Sequence, residues 1–151
     1  MMHEAAMREA MKEAGLAQRE GEVPVGAVIV CDGNVIARAH NEREALCDPT
    51  AHAEVLALRR AAKALGRRRL SGCQLYVTLE PCPMCAGAIV MSGLDAVYFG
   101  AYDERMGCAG SVYALPEDAA LGTFTPCMGG VLEDECVPIV KDFFEERRKV
   151  R

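Results

Sequence analysis

Two short stretches of this chain carry residue types that can do metal chemistry together. Ala51-His52-Ala53-Glu54 reads H-x-E, and Glu80-Pro81-Cys82-Pro83-Met84-Cys85 reads P-C-x-x-C. One imidazole and two thiolates fill three positions around a tetrahedral zinc ion and leave the fourth for water. A glutamate beside that opening can carry protons. Cys82 and Cys85, three residues apart, fall on one face of a helix. Pro83 between them suits a first helical turn, where its missing N–H costs nothing. A helix N-terminus also favours the thiolate that zinc requires. His52 and Glu54 are two apart, roughly 200° around a helix of 3.6 residues per turn. They cannot both ligate one metal from the side of a helix. Both can lean toward a metal beyond its first turn, His52 as a ligand and Glu54 as a base outside the ligand set.

Other chemistry fits these residues less well. An isolated C-x-x-C suits a redox pair or half of a structural zinc site equally. A structural site closes with a fourth Cys or His. The two further histidines, His3 and His40, belong to the N-terminal segment and to a strand end, while a free cysteine remains able to close the site. A structural zinc has no need of Glu54. The pattern therefore reads as a catalytic zinc site with one ion per chain.

The elements that must position these residues follow from periodicity. Met7, Ala10, Met11, Ala14 and Ala17 share one face of a helix over Met2 to Arg19. Val23 to Val30 is a strand with Pro24 and Gly26 at its start, and Asp32-Gly33 turns it tightly into Val35-Ile36-Ala37. After a loop from Asn41 to Pro49, Asp48-Pro49-Thr50 opens a helix from Thr50 to Leu65. Leu75 to Leu79 is a third strand, and the helix begun at Pro83 runs to Met91 before Gly93 stops it. Ala96 to Phe99 is a fourth strand. Farther on, Leu115 to Ala120 reads as a short helix and Thr123-Phe124-Thr125 as a short strand. Leu132, Cys136, Ile139, Val140, Phe143 and Phe144 form a last helical stripe that Pro138 either kinks or begins. Alternating helices and strands imply parallel pairing in an α/β layered domain, with the two ligand-bearing helix N-termini side by side.

Composition bounds the rest. At 151 residues, the chain is read as one domain, residues 1–151, with room for a sizeable core. No run of about 18 apolar residues suggests a membrane span, and the acidic N-terminal segment does not read as a leader peptide. Eight cysteines without an export signal point to the cytoplasm.

At the level of motifs the chain resembles the bacterial tRNA adenosine deaminases of the cytidine-deaminase-like superfamily, whose H-x-E and P-C-x-x-C signature it carries. The resemblance rests on Pro24-Val25-Gly26-Ala27, Asn41, Asp48 to Glu54 and Thr78 to Ala88, with Gly100-Ala101, Asp103, Gly107, Ala109-Gly110-Ser111 and Asp142-Phe143-Phe144 extending it. It implies a three-layer α-β-α domain with a mixed five-stranded sheet. It also implies hydrolysis of adenosine to inosine at the wobble position of a tRNA anticodon, and a homodimer holding the anticodon stem-loop. His52, Cys82 and Cys85 would be the ligands and Glu54 the proton carrier. Asn41, with Ala53 beside it, would contact the nucleoside, and Asp103 the neighbouring RNA. Asn41 could instead cap the turn after the second strand, and Asp103 could be a plain loop residue. No organic cofactor is implied.

The net charge of −5 is opposite to that of RNA-binding surfaces, so distribution matters more than the sum. Arg59, Arg60, Lys63, Arg67, Arg68 and Arg69 form one basic cluster, and Arg147, Arg148, Lys149 and Arg151 a second. An aromatic beside basic residues can stack on a splayed base, which makes Phe144 and Arg148 candidate RNA contacts. Either cluster could instead be a solvated helix face. The chain departs from the family at Gly122-Thr123, where an Asn-His pair is usual. A deaminase of a free base or nucleoside (guanine, cytosine or adenosine type) and a non-catalytic zinc module are the competing readings.

Overall fold

Five of the first nineteen residues, Ala6, Met7, Ala10, Ala14 and Ala17, bury one stripe of the first helix, α1 (His3–Arg19). The computed structural model describes residues 2–150. The apolar run Gly26–Cys31 forms β1, and Asp32 and Gly33, both with positive φ, turn it into β2 (Asn34–His40). This is the primed two-residue turn that matches strand twist. Helix α2 (Ala53–Leu65) leads to β3 (Cys73–Leu79), and α3 (Pro83–Ser92) leads to β4 (Ala96–Ala101). Gly93, at φ 71, ends α3 as expected. Two single 3-10 turns, Leu115–Glu117 and Ala119–Leu121, precede β5 (Cys127–Met128) and α4 (Glu133–Val150).

The sheet order is β2-β1-β3-β4-β5. Strand β1 is antiparallel to both β2 and β3, while β3–β4 and β4–β5 are parallel. Uniform parallel pairing therefore does not hold. The crossover from β2 through α2 does deliver β3 parallel to β2, but β1 slots between them. Alternation of side chains divides the core in two. Ala27, Ile29, Leu75, Val77, Val97 and Phe99 face α2 and α3. Val28, Val30, Tyr76 and Ala101 face Ala6, Met7 and Ala10 of α1 and Cys136 of α4. The result is three layers, α-β-α.

Three boundaries differ from the sequence reading for local reasons. The expected helix at 115–120 breaks at Asp118, whose extended backbone (ψ 112) lets its carboxylate accept from the Ala120 N–H. Thr123–Thr125 is not a strand: Thr125 N–H bonds Pro116 O, and the edge pairing falls on Val97 with Cys127 instead. Helix α4 begins at Glu133 and runs through Pro138, packing onto Gly100, where a Cβ would collide with the Cys136 sulfur. Among the described residues no helix is long and apolar enough to cross a membrane.

His40 ties the end of β2 to α1. Its Nδ1 meets Glu13 at 2.9 Å and its Nε2 meets Glu20 at 3.0 Å. Burial opposes the charged ring, but the two carboxylates outweigh it and raise its pKa. A raised folded-state pKa stabilises fully below the unfolded value of about 6.5 and is lost as pH rises through the folded value. The stability gap between the wild type and His40→Ala should therefore be widest below about pH 6.5 and narrow as pH rises above it, read from urea midpoints.

Candidate active site

Helix α2 starts at Ala53 rather than Thr50, which puts His52 at its N-cap in extended conformation (φ −77, ψ 150). Asp48 causes the delay: its Oδ1 accepts from the Thr50 N–H at 2.8 Å and the Thr50 hydroxyl at 2.7 Å, the turn that Asp makes in place of a helix. Ala51 O then accepts from Glu42 N–H at 3.0 Å, so the segment before the helix is held by tertiary bonds. Asn41 completes the clamp. Its Oδ1 accepts from the Ala53 N–H at 2.8 Å, satisfying a donor the helix end leaves free, and its Nδ2 donates to Val23 O at 3.0 Å.

Helix α3 begins the same way. Cys82 is its N-cap, Pro83 its first residue, and Cys85 sits fully buried one turn in. His52 Nδ1 lies 3.6 Å from Cys82 Sγ and 3.4 Å from Cys85 Sγ. A tetrahedral zinc with N at about 2.0–2.1 Å and S at about 2.3 Å separates such atoms by about 3.6 Å. The donor set therefore fits zinc in both chemistry and spacing. No fourth Cys or His among the described residues joins this group, so the free-cysteine closure is not realised. The hydrogen bond from the Cys85 thiol lowers Cys82 to about 4, with His52 acting in the same direction. Cys85 is pushed well above the usual thiol range by Cys82 and by burial. Metal binding must displace that proton, which links affinity to pH.

Glu54, in the first turn of α2, is 4% exposed. Burial raises its carboxyl to about 7. Such a group both accepts and releases a proton near neutral pH. Its carboxylate, His52 and Cys82 line a cleft of about 800 Å³, together with Asn41 and the loop from Tyr102 to Met106. Asp103 lies on this rim, with Oδ1 accepting from the N–H groups of Arg105 and Met106. The far wall is α4, through Val137, Val140, Lys141 and Phe144. Phe144 is 45% exposed toward this space, while its neighbour Phe143 is buried. Ala53 is fully buried and does not line the cleft, and Arg148 is exposed away from it.

The family defined by the cytidine and deoxycytidylate deaminase zinc-binding region matches residues 1–101. A tRNA-specific adenosine deaminase of Bacillus subtilis is 51% identical over 97% of this chain and 91% of its own length. This chain belongs to that family, within its tRNA-specific adenosine deaminase branch. A solved tRNA:A34 deaminase, studied for A-to-I editing at the wobble position, superposes with a TM-score of 0.86 at 42% identity, covering 89% of this chain and 98% of that one. A guanine deaminase of Bacillus subtilis is 40% identical with a TM-score of 0.65, covering 83% and 72%.

The cleft carries charges that the sequence reading did not single out. Arg43, Arg105 and Lys141 reach the cleft, and nothing in their sequence context marks them. Among the described residues neither basic cluster does. In the first, Arg60 bonds Arg38 O and Glu42, and Arg67 bonds Arg69 O and Ser71 O. In the second, Arg147 covers the Phe143 ring at 4.7 Å and donates to Gly21 O, and Lys149 pairs with Glu146. Arg151 lies outside the described residues.

Elemental analysis of the purified deaminase should find about one zinc per chain. Cys85→Ala should abolish that zinc and lower the melting temperature together, because site assembly and folding are linked.

Proposed function

We propose that this chain converts adenosine to inosine at the wobble position of a tRNA anticodon, acting as one deaminase domain in the cytoplasm. The observation that carries the reading is the cleft. His52, Cys82 and Glu54 line it, Arg43, Arg105 and Lys141 stand on its walls among Asp103, Glu104 and Glu133, and the Phe144 ring adjoins them. Bound zinc supplies a Lewis acid that makes a water nucleophilic near neutral pH. Glu54 takes a proton from the attacking water and returns protons to the ring nitrogen and the leaving amine. Adenosine and water become inosine and ammonia. Asn41 spends Oδ1 on Ala53 and one amide hydrogen on Val23, so its second hydrogen is the one left for the nucleoside. Phe144 offers its face to a splayed neighbouring base. Arg43, Arg105 and Lys141 rather than the C-terminal cluster meet phosphates, with Arg148 at most a peripheral contact.

The chain also carries an apolar patch between α2 and α3, formed by Val55, Leu58, Ala62, Ala88 and Met91. Met91 is 76% exposed. A second copy of the chain is the natural cover, and light scattering of the purified protein reads out the expected homodimer. All eight cysteines are unpaired, in keeping with a reducing compartment.

Glu54→Gln keeps the shape but cannot accept a proton, so zinc should remain while turnover falls by about 10²–10⁴-fold. A panel of tRNAs and free nucleosides, scored for inosine, tests the substrate. Efficient turnover of free adenosine or guanine with tRNA untouched would replace this reading by the free-base one. Three rim cations facing a single-stranded loop predict a log–log salt slope of about −2, and Lys141→Ala should flatten it by about 0.7.

A further inference from the structure

Glu80 is an acid that the zinc chemistry does not use, and it is 2% exposed. It precedes Pro81-Cys82 and lines the cleft, and its carboxylate is bonded to a different part of the chain. Oε1 accepts from the Asp103 N–H at 3.0 Å and from the Ser111 hydroxyl. Oε2 accepts from the Ala109 N–H at 3.1 Å and the Ser111 N–H at 2.9 Å. Four donors from one loop converge on one carboxylate. Two backbone bonds lie alongside: Glu80 N–H to Ala101 O at 2.9 Å and Cys108 N–H to Pro81 O at 2.8 Å. Gly107 is shaped to the same purpose, because a Cβ there would collide with the Glu80 carboxylate and the Asp103 carbonyl.

The loop so held, from Asp103 to Ser111, has no helix or strand of its own beyond an isolated bridge at Ala109. Its first four residues form one wall of the cleft. Loops without their own ladder hold position only through such outside bonds. Bonds to a charged, desolvated acceptor are the strongest kind available for that task.

We propose that Glu80 is a positioning residue for substrate: it fixes the 103–111 loop against the cysteine-bearing turn, so that Asp103 to Met106 are pre-set to receive the nucleotides flanking the reacting base. The proposal rests on the RNA reading of the cleft. Pre-setting a loop lowers the ordering cost at binding and leaves the chemical step alone. The signature of losing it is a raised KM with little change in kcat.

The test uses zinc-loaded Glu80→Gln, whose amide cannot accept on its nitrogen side, and the milder Ser111→Ala, which removes one donor. On an anticodon stem-loop with a wobble adenosine, Glu80→Gln should raise KM about tenfold and change kcat by less than about twofold, with Ser111→Ala shifting KM the same way by less. Zinc content should match the wild type. Amide hydrogen exchange at Asp103, Ala109 and Ser111 should speed up in Glu80→Gln without substrate present. A lower melting temperature with unchanged KM per zinc-loaded chain would reduce Glu80 to a structural residue and overturn the proposal. So would loss of zinc, or a fall in kcat at constant KM. A wild type inactive on the stem-loop retires the RNA reading. Unchanged exchange at those three amides overturns the positioning claim whatever the substrate.

Discussion

His52 and Cys82 are separated by thirty positions in the chain and by 3.6 Å in space. Closing that gap requires two helices to begin at the same point, each with a ligand at its N-cap. The β2–α2–β3–α3–β4 path satisfies this because both helices rise from the same sheet and pack on the same face. A helix can deliver a ligand from its cap only if the preceding segment is extended and fixed. Asp48 extends it by competing for the Thr50 N–H, and Asn41 fixes it by taking the Ala53 N–H. The sequence pattern put His52 inside the first helical turn, whereas these bonds accompany its place at the N-cap.

Three buried glutamates show how surroundings assign different work to one residue type. Glu22 accepts from the N–H groups of Glu44 and Ala45, and Glu80 accepts from four donors of the 103–111 loop. Bonds of this kind tie a buried carboxylate in place and make it a fixed anchor. Glu54 is equally buried, but desolvation dominates over its own backbone bond and raises it to about 7. The anchors hold loops in place. The one carboxylate left without loop donors is the one poised to exchange protons.

The sequence made legible whatever local chemistry and short-range periodicity encode. The triad and Glu54 follow from residue type and spacing, α1 from its stripe, and the β1–β2 hairpin from Asp32-Gly33. The insertion of β1 between β2 and β3 was not legible, because no local pattern records which strand a third one will pair with. The true start of α2 was hidden for the same reason: Asp48-Pro49-Thr50 looks like a helix opening until the Ala51 carbonyl finds Glu42 across the loop. Phe143 and Phe144 sit side by side in one stripe, and only the packing of α4 shows which is core and which meets the cleft. Glu80 was visible as a motif letter, but its four donors come from residues 23 to 31 positions away.

The two basic clusters lie off the cleft among the described residues, and their side chains have uses within the fold. Helix α4 opens with Glu133, Asp134 and Glu135 and closes with Arg147, Arg148 and Lys149, the polarity that complements a helix dipole. Its basic end therefore has a structural use before any ligand arrives, and Arg147 is further tied to Gly21 and Phe143. At the cleft itself, Arg43, Arg105 and Lys141 stand among Asp103, Glu104 and Glu133. A rim so mixed gives little long-range attraction, which accords with the chain's net charge of −5. Affinity for a nucleic acid on such a surface must come from contacts made at fixed positions rather than from charge density. That places the burden on the rigidity of the two walls, α4 packed at Gly100 and the 103–111 loop bonded to Glu80.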